Sequence, residues 1–181
     1  MEHTIFSVNP RQRLVAALLL FFAWLIFSSI LLYRFGFAHY GTFDDKQLWR
    51  FDSAGIRLSQ LAIPEVAGWQ VVHVLDKNCG CSRLAKSHAS LFRELYQLPA
   101  EQQIYRSAAE LIAAGFTLPA VPAVLLFDHG KLIYAGPYAS GPLCSTNNSF
   151  LTGLISRQTQ LEGLWLNGES KACRCLVSPG A

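Results

Sequence analysis

The chain predicts an α/β domain carried behind one N-terminal transmembrane helix. Three observations lead there. An uncharged run of nineteen residues, LVAALLLFFAWLIFSSILL, extends from Leu14 to Leu32. A short β-branched run, Val71–Leu75, leads through a turn into a helical apolar pattern. Later, an apolar run and a hairpin signal stand side by side at Ala123–Ala135.

At 1.5 Å per residue the uncharged run spans roughly 28 Å, close to the ~30 Å hydrocarbon core of a bilayer. It is longer than a signal-peptide apolar region, and Tyr33–His39 makes a poor cleavage site, so it reads as an uncleaved anchor. The run also accounts for the 51% hydrophobic content and the mean hydropathy of +0.26. Basic residues flank both ends, with Arg11 and Arg13 before and Arg34, Lys46 and Arg50 after, so the positive-inside rule does not fix orientation. The short tail and its close arginine pair favour residues 1–13 as a cytoplasmic tail and 14–32 as the span. The C-terminal part is then periplasmic, at the inner (cytoplasmic) membrane. Residues 41–181 carry twelve Lys/Arg against eleven Asp/Glu, which leaves no electrostatic footprint for nucleic acid.

Residues 33–59 read as a juxtamembrane connection, 60–160 as the domain and 161–181 as a cysteine-containing tail. Val71–Leu75 is a buried strand. Leu84, His88, Leu91, Phe92 and Leu95 recur at helical spacing and predict a helix over 82–97. Ser107–Ala114 is a second helix, closed by Gly115. Ala123–Phe127 and Lys131–Ala135 are strands joined by a turn at Asp128-His129-Gly130. A further helix is predicted over 150–160.

Cys79-Gly80-Cys81 falls where the buried strand meets the first domain helix. A helix start leaves backbone N–H groups unpaired and carries partial positive charge, so a thiol there ionises readily. Thiolate is the nucleophile of disulfide exchange. The segment Val121-Pro122-Ala123-Val124-Leu125-Leu126-Phe127-Asp128-His129-Gly130-Lys131, with Pro122 lying 41 residues after Cys81, resembles the thioredoxin-like superfamily, in which a cis-proline opens a strand and a Gly-containing hairpin closes it. The chain is also similar to membrane-anchored thioredoxin-like proteins of proteobacteria.

The resemblance covers about 60–160 and implies a thioredoxin-like fold, a central mixed sheet flanked by helices, with a redox centre at Cys79 and Cys81 and Pro122 beside it, offering a backbone edge to substrate. It also implies that His73 stands where the family keeps a buried proton-transfer acid, and that the loop Gly136–Cys144 brings Cys144 toward the cysteine pair. The usual Cys-x-x-Cys is replaced here, and Asn78 stands where the family has tryptophan. His88 and His129 are read as structural.

Cys173-Arg174-Cys175 lies beyond the family core. With five cysteines in an oxidising compartment, pairing leaves at least one free, and connectivity is not deducible. A Cys79–Cys81 bridge would close a small, strained ring. The alternative is exchange of one of them with Cys144 or with the Cys173/Cys175 tail.

The function expected is thiol–disulfide oxidoreduction on exported proteins, with protein thiols or disulfides as substrates and a membrane redox donor as a candidate partner. No cofactor and no resident metal are called for. Two other readings are a metallochaperone holding copper or zinc through clustered cysteines, and a non-catalytic disulfide-stabilised scaffold.

Overall fold

The computed structural model describes residues 9–51 and 55–178. It divides into two compact units, one ending at Ala38 and one beginning at His39.

The first unit is helix α1, Pro10–Leu32. Asn9 caps it, its side chain accepting from the Arg11 N–H at 3.1 Å, with Pro10 at the first helical position. Proline suits that place because its missing N–H would be unsatisfied anyway. The helix is apolar on every side and buries nothing within its own unit, as a segment solvated by lipid requires. It is long and apolar enough to cross a membrane. One π-helical turn, Tyr33–Phe37, follows, with the Ala38 N–H donating to the Tyr33 carbonyl at 3.1 Å.

The second unit begins with β1 (Tyr40–Thr42) and α2 (Leu48–Phe51). The carboxylate of Asp44 accepts from the N–H groups of Leu48 and Trp49, both at 2.8 Å. Trp49 packs between Phe43 and Phe116, its indole N–H donating to the Thr117 carbonyl. After one 3-10 turn come β2 (Trp69–Val74), α3 (Gly80–Glu94), β3 (Gln103–Arg106) and α4 (Ala108–Ala113). The next elements are β4 (Ala120–Val121), β5 (Ala123–Asp128), β6 (Lys131–Gly136), α5 (Leu151–Ile155), β7 (Trp165–Leu166), β8 (Lys171–Cys173) and β9 (Cys175–Leu176).

Five strands form one mixed sheet in the order β3-β2-β5-β6-β7. β2 runs parallel to β3 and antiparallel to β5, β5 is antiparallel to β6, and β6 is parallel to β7. Two antiparallel pairs stand apart, β1 with β8 and β4 with β9.

Side chains alternate across a strand, and the alternation divides the core in two. Val72, Val74, Leu125 and Phe127 face one cluster, which contains Leu111, Phe116, Cys79 and Cys81. Val71, Val124 and Leu126 face another, with Ala85, Phe92, Tyr138 and Leu151. Both faces are therefore covered, which is why β2 and β5 read as continuous apolar runs.

Several expectations shift in detail. α3 buries Cys81, Ala85, His88, Ala89 and Phe92, whereas Leu84 and Leu95 are exposed. The buried face is built on two alanines with His88 and Phe92, and it departs from the leucine pattern. The hairpin at His129-Gly130 is a two-residue loop with positive φ at both positions, 48° and 73°, as a type I′ turn demands. Ser107 and Glu110 form a capping box at the start of α4. The helix predicted over 150–160 is only Leu151–Ile155, because Arg157 adopts a left-handed φ of 58° and turns the chain.

The flanks of 60–160 also carry structure. β1 and α2 lie in the stretch read as a connection, and the stretch read as a tail holds β7, β8 and β9. β7 completes one edge of the five-stranded sheet, and β8 and β9 are tied back covalently.

Candidate active site: a ladder of two disulfides

Cys79 is the N-cap of α3, with extended backbone angles. The preceding turn is built by Asp76, which accepts from the Cys79 N–H at 3.1 Å through its carbonyl and from the Asn78 N–H at 2.8 Å through its carboxylate. Ser82 closes the junction, its hydroxyl accepting from the Asp76 N–H at 3.0 Å. Strand β2 is thereby brought sharply into the helix, with the two cysteines inside its first turn.

They do not pair with each other. Cys79 is bonded to Cys175 and Cys81 to Cys173, with Cα separations of 6.0 and 5.5 Å, inside the usual range of about 4.4–6.8 Å. The two Cys-x-Cys segments thus face one another in opposite chain directions, like two rungs of a ladder. The expected strained Cys79–Cys81 ring is replaced by the alternative pairing with the tail, because β8 and β9 carry the second segment to the helix start.

Register places it there. Cys173 stands opposite Tyr40 in the β1–β8 pair, and Cys175 opposite Val121 in the β4–β9 pair. Arg174, between them, donates its backbone N–H to the His39 carbonyl at 2.7 Å and its guanidinium to the Thr42 carbonyl, with Asp45 at 3.9 Å. Gly41 makes room: a Cβ there would stand 2.6 Å from the guanidinium.

The rungs differ in access. Cys79, Cys81 and Cys173 are buried, whereas Cys175 is half-buried. Cys175 lines a groove of about 550 Å³ together with Val121, Ala108, Ile112 and Val177. The sulfurs of Cys79, Cys81 and Cys175 all lie within 4.8 Å of one another. Around them, Nδ1 of His39 is 4.0 Å from the Cys175 sulfur, and the Val121 carbonyl oxygen is 3.6 Å from the Cys79 sulfur. The Val121–Pro122 peptide is cis. Reduced, these three sulfurs would offer thiolates to one soft ion. Bonded as disulfides, they offer none.

His73 and Cys144 lie elsewhere. His73 is fully buried; its ring packs against Phe92, Tyr105 and Tyr138, and its hydrogen bond goes to Tyr138. Strand alternation explains this, since Val72 and Val74, its neighbours on β2, are the ones that face the sulfur cluster. Burial drives its pKa down to about 4, opposed in part by the Gln103 side chain. Cys144 is unpaired and buried in the other core cluster, and burial pushes its thiol up to about 11. Its carbonyl accepts from Nε2 of His88 at 2.8 Å. The loop after β6 carries Cys144 to His88 of α3, while its Gly141 bridges β8 and accepts from the Cys173 N–H at 3.1 Å.

Residues 47–177 match the model of a family described as Domain of unknown function (DUF6436). The chain belongs to this family. The match takes in all five cysteines and the segment from α2 through β9, and it leaves α1 outside. No curated protein and no solved structure matches the chain. Within this DUF6436 domain, Arg174 and His39 are site residues that the sequence does not single out, and Cys173 and Cys175 are ones it offers only as an alternative partner. The signal available was the equal spacing of two Cys-x-Cys pairs, which suits two parallel bridges.

Proposed function

We propose that this protein is a membrane-anchored thiol–disulfide oxidoreductase with a thioredoxin-like domain, acting on exported proteins through the Cys79–Cys175 disulfide. One observation carries the reading: a half-buried cysteine, Cys175, lines a groove and is bonded to a cysteine at the start of a fifteen-residue helix, next to a cis-proline peptide. The order of elements supports the thioredoxin-like assignment. A strand leads into cysteines at a helix start, and a later strand opens on the cis-proline and returns through a hairpin.

The chemistry follows from access and leaving-group stability. A substrate thiolate entering the groove attacks the Cys175 sulfur. The Cys79–Cys175 bond breaks, and its electron pair goes to Cys79. There the free N–H groups and partial positive charge of the helix start stabilise the thiolate, and a better leaving group departs faster. A second substrate thiol then displaces Cys175. The substrate leaves as a disulfide, and Cys79 and Cys175 remain as the reduced pair. The imidazole of His39, beside Cys175, is positioned to accept the proton of the incoming thiol. The reverse sequence reduces a substrate disulfide. Disulfides persist in oxidising compartments, so the domain belongs on the periplasmic side of the inner membrane.

The test is equilibration of the full chain with glutathione buffers, followed by acid trapping and mass mapping. Exchange of Cys79–Cys175 in the folded protein, abolished by Cys175→Ser, is expected. A bridge that resists reduction until the domain unfolds would overturn it. That result would favour a second reading, a disulfide-stabilised scaffold, for which the burial of Cys81–Cys173 speaks.

A further inference from the structure

The second rung has no evident place in this exchange. Cys81 is 1% and Cys173 8% exposed, so an incoming thiolate cannot reach either sulfur as it can reach Cys175. Yet the Cys81 sulfur lies within 4.8 Å of both sulfurs of the outer bridge. Resting on the exchange reading above, we infer that Cys81–Cys173 is a second redox centre, filled and emptied only through Cys79–Cys175.

The steps balance without any further reagent. After a substrate dithiol has been oxidised, Cys79 and Cys175 are thiols and Cys81–Cys173 is intact. The Cys175 thiolate attacks the Cys81 sulfur; the Cys81–Cys173 bond breaks, its electron pair passes to Cys173, and a transient Cys81–Cys175 bridge forms. The Cys79 thiolate then attacks Cys175 of that bridge and expels Cys81. The outer disulfide is restored, and Cys81 and Cys173 take up the two protons. Two electrons have moved inward, and the outer site is ready for a second dithiol.

Cys175 is the carrier in this scheme because of where the cysteines sit. Cys79 and Cys81 are fixed in one helix turn, whereas Cys175 belongs to a two-residue strand whose partner, β4, is equally short. Thiolate attack requires approach to a sulfur, and the shorter element has more freedom to make it. Each domain then takes up four electrons, two per bridge.

The experiment uses the full chain in detergent, without oxygen, and dithiothreitol as the reductant. At one equivalent per chain, acid-trapped thiols should appear on Cys81 and Cys173 as well as on Cys79 and Cys175. With excess reductant and the fold retained by circular dichroism, all four should be free. In the Cys79→Ser/Cys175→Ser variant, reduction of Cys81–Cys173 should slow by at least about tenfold, since direct attack depends on access. Reduction of the inner bridge at the wild-type rate in that variant would overturn the inference. So would wild-type label confined to Cys79 and Cys175 at every reductant level, an outcome that leaves the exchange activity standing. Resistance of both bridges in the folded protein overturns both proposals, and this arm needs no variant.

Discussion

The hydroxyl of Tyr138 lies 2.8 Å from Nδ1 of His73, and both side chains are fully buried. Burial raises the Tyr138 phenol well above its ordinary pKa, so it stays protonated. Nε2 of His73 is buried and makes no hydrogen bond among the described residues.

This arrangement predicts a pH dependence of stability. The histidine titrates near 6.5 when unfolded and near 4 when folded. Above about pH 6.5 both states are neutral and its contribution is fully present. Between the two values the unfolded chain binds more protons, so stability falls as the pH falls, and the loss levels off below pH 4. The full loss is about 3 kcal/mol. Urea unfolding across pH 4–7 should show a smaller decline for His73→Asn than for the wild type. His88, also lowered by burial, titrates in the same direction in both proteins, so their difference isolates His73. Parallel curves would remove the assignment.

Gly80 is predicted to be replaceable. Its φ is not positive, and a Cβ built on it meets nothing within 4 Å. The bridges run to β8 and β9, so no tight Cys79–Cys81 ring needs a glycine at that point. Gly80→Ala, in the first turn of α3, should leave both disulfides in place and raise stability by roughly 0.5 kcal/mol through a less flexible unfolded chain. Loss of either bridge on mass mapping would show that the glycine has a role in pairing.

Cys144 should be inert in the folded protein. With its thiol held near pKa 11, the thiolate fraction at pH 8 is about one in a thousand, and burial blocks approach as well. Iodoacetamide at pH 8 should label it only after unfolding in urea. Rapid native labelling would mean that the loop after β6 opens.

The anchor and its orientation can be checked together. The full chain should remain with membranes after carbonate extraction, and protease added to spheroplasts should digest the domain. Digestion only in inverted vesicles would reverse the topology and put the disulfides in a reducing compartment.

The sequence made some of this architecture legible. The uncharged run became α1, and β2, α3, α4 and the β5–β6 hairpin lie where apolar periodicity, Ser107 and the His129-Gly130 turn put them. Strands of two to four residues escaped, because β1, β3, β4, β7, β8 and β9 are too short to show a period. That shortness also hid the site. The partners of Cys79 and Cys81 lie more than ninety positions away and are set by the β4–β9 and β1–β8 registers, which no local pattern encodes. The phase of α3 is also not the one the leucines indicate: Ala85, His88, Ala89 and Phe92 carry the buried face, and Leu84 and Leu95 are exposed.

The wide separation of the bridged cysteines has a consequence during biosynthesis. Cys173 comes 92 positions after Cys81, and Cys175 comes 96 after Cys79. At about 5–20 residues per second, the ribosome adds that stretch in roughly 5–20 seconds. Throughout that interval the nascent chain presents two neighbouring thiols with neither mature partner in existence. Until Cys144 is made the only mate available to either is the other. From then until Cys173 emerges Cys144 is the one further candidate, so an oxidant met early favours a provisional Cys79–Cys81 link. Maturation would then include a reshuffling step that waits for Cys173 and Cys175 to arrive, and a nascent chain stalled before Cys173 would be caught in the immature pairing.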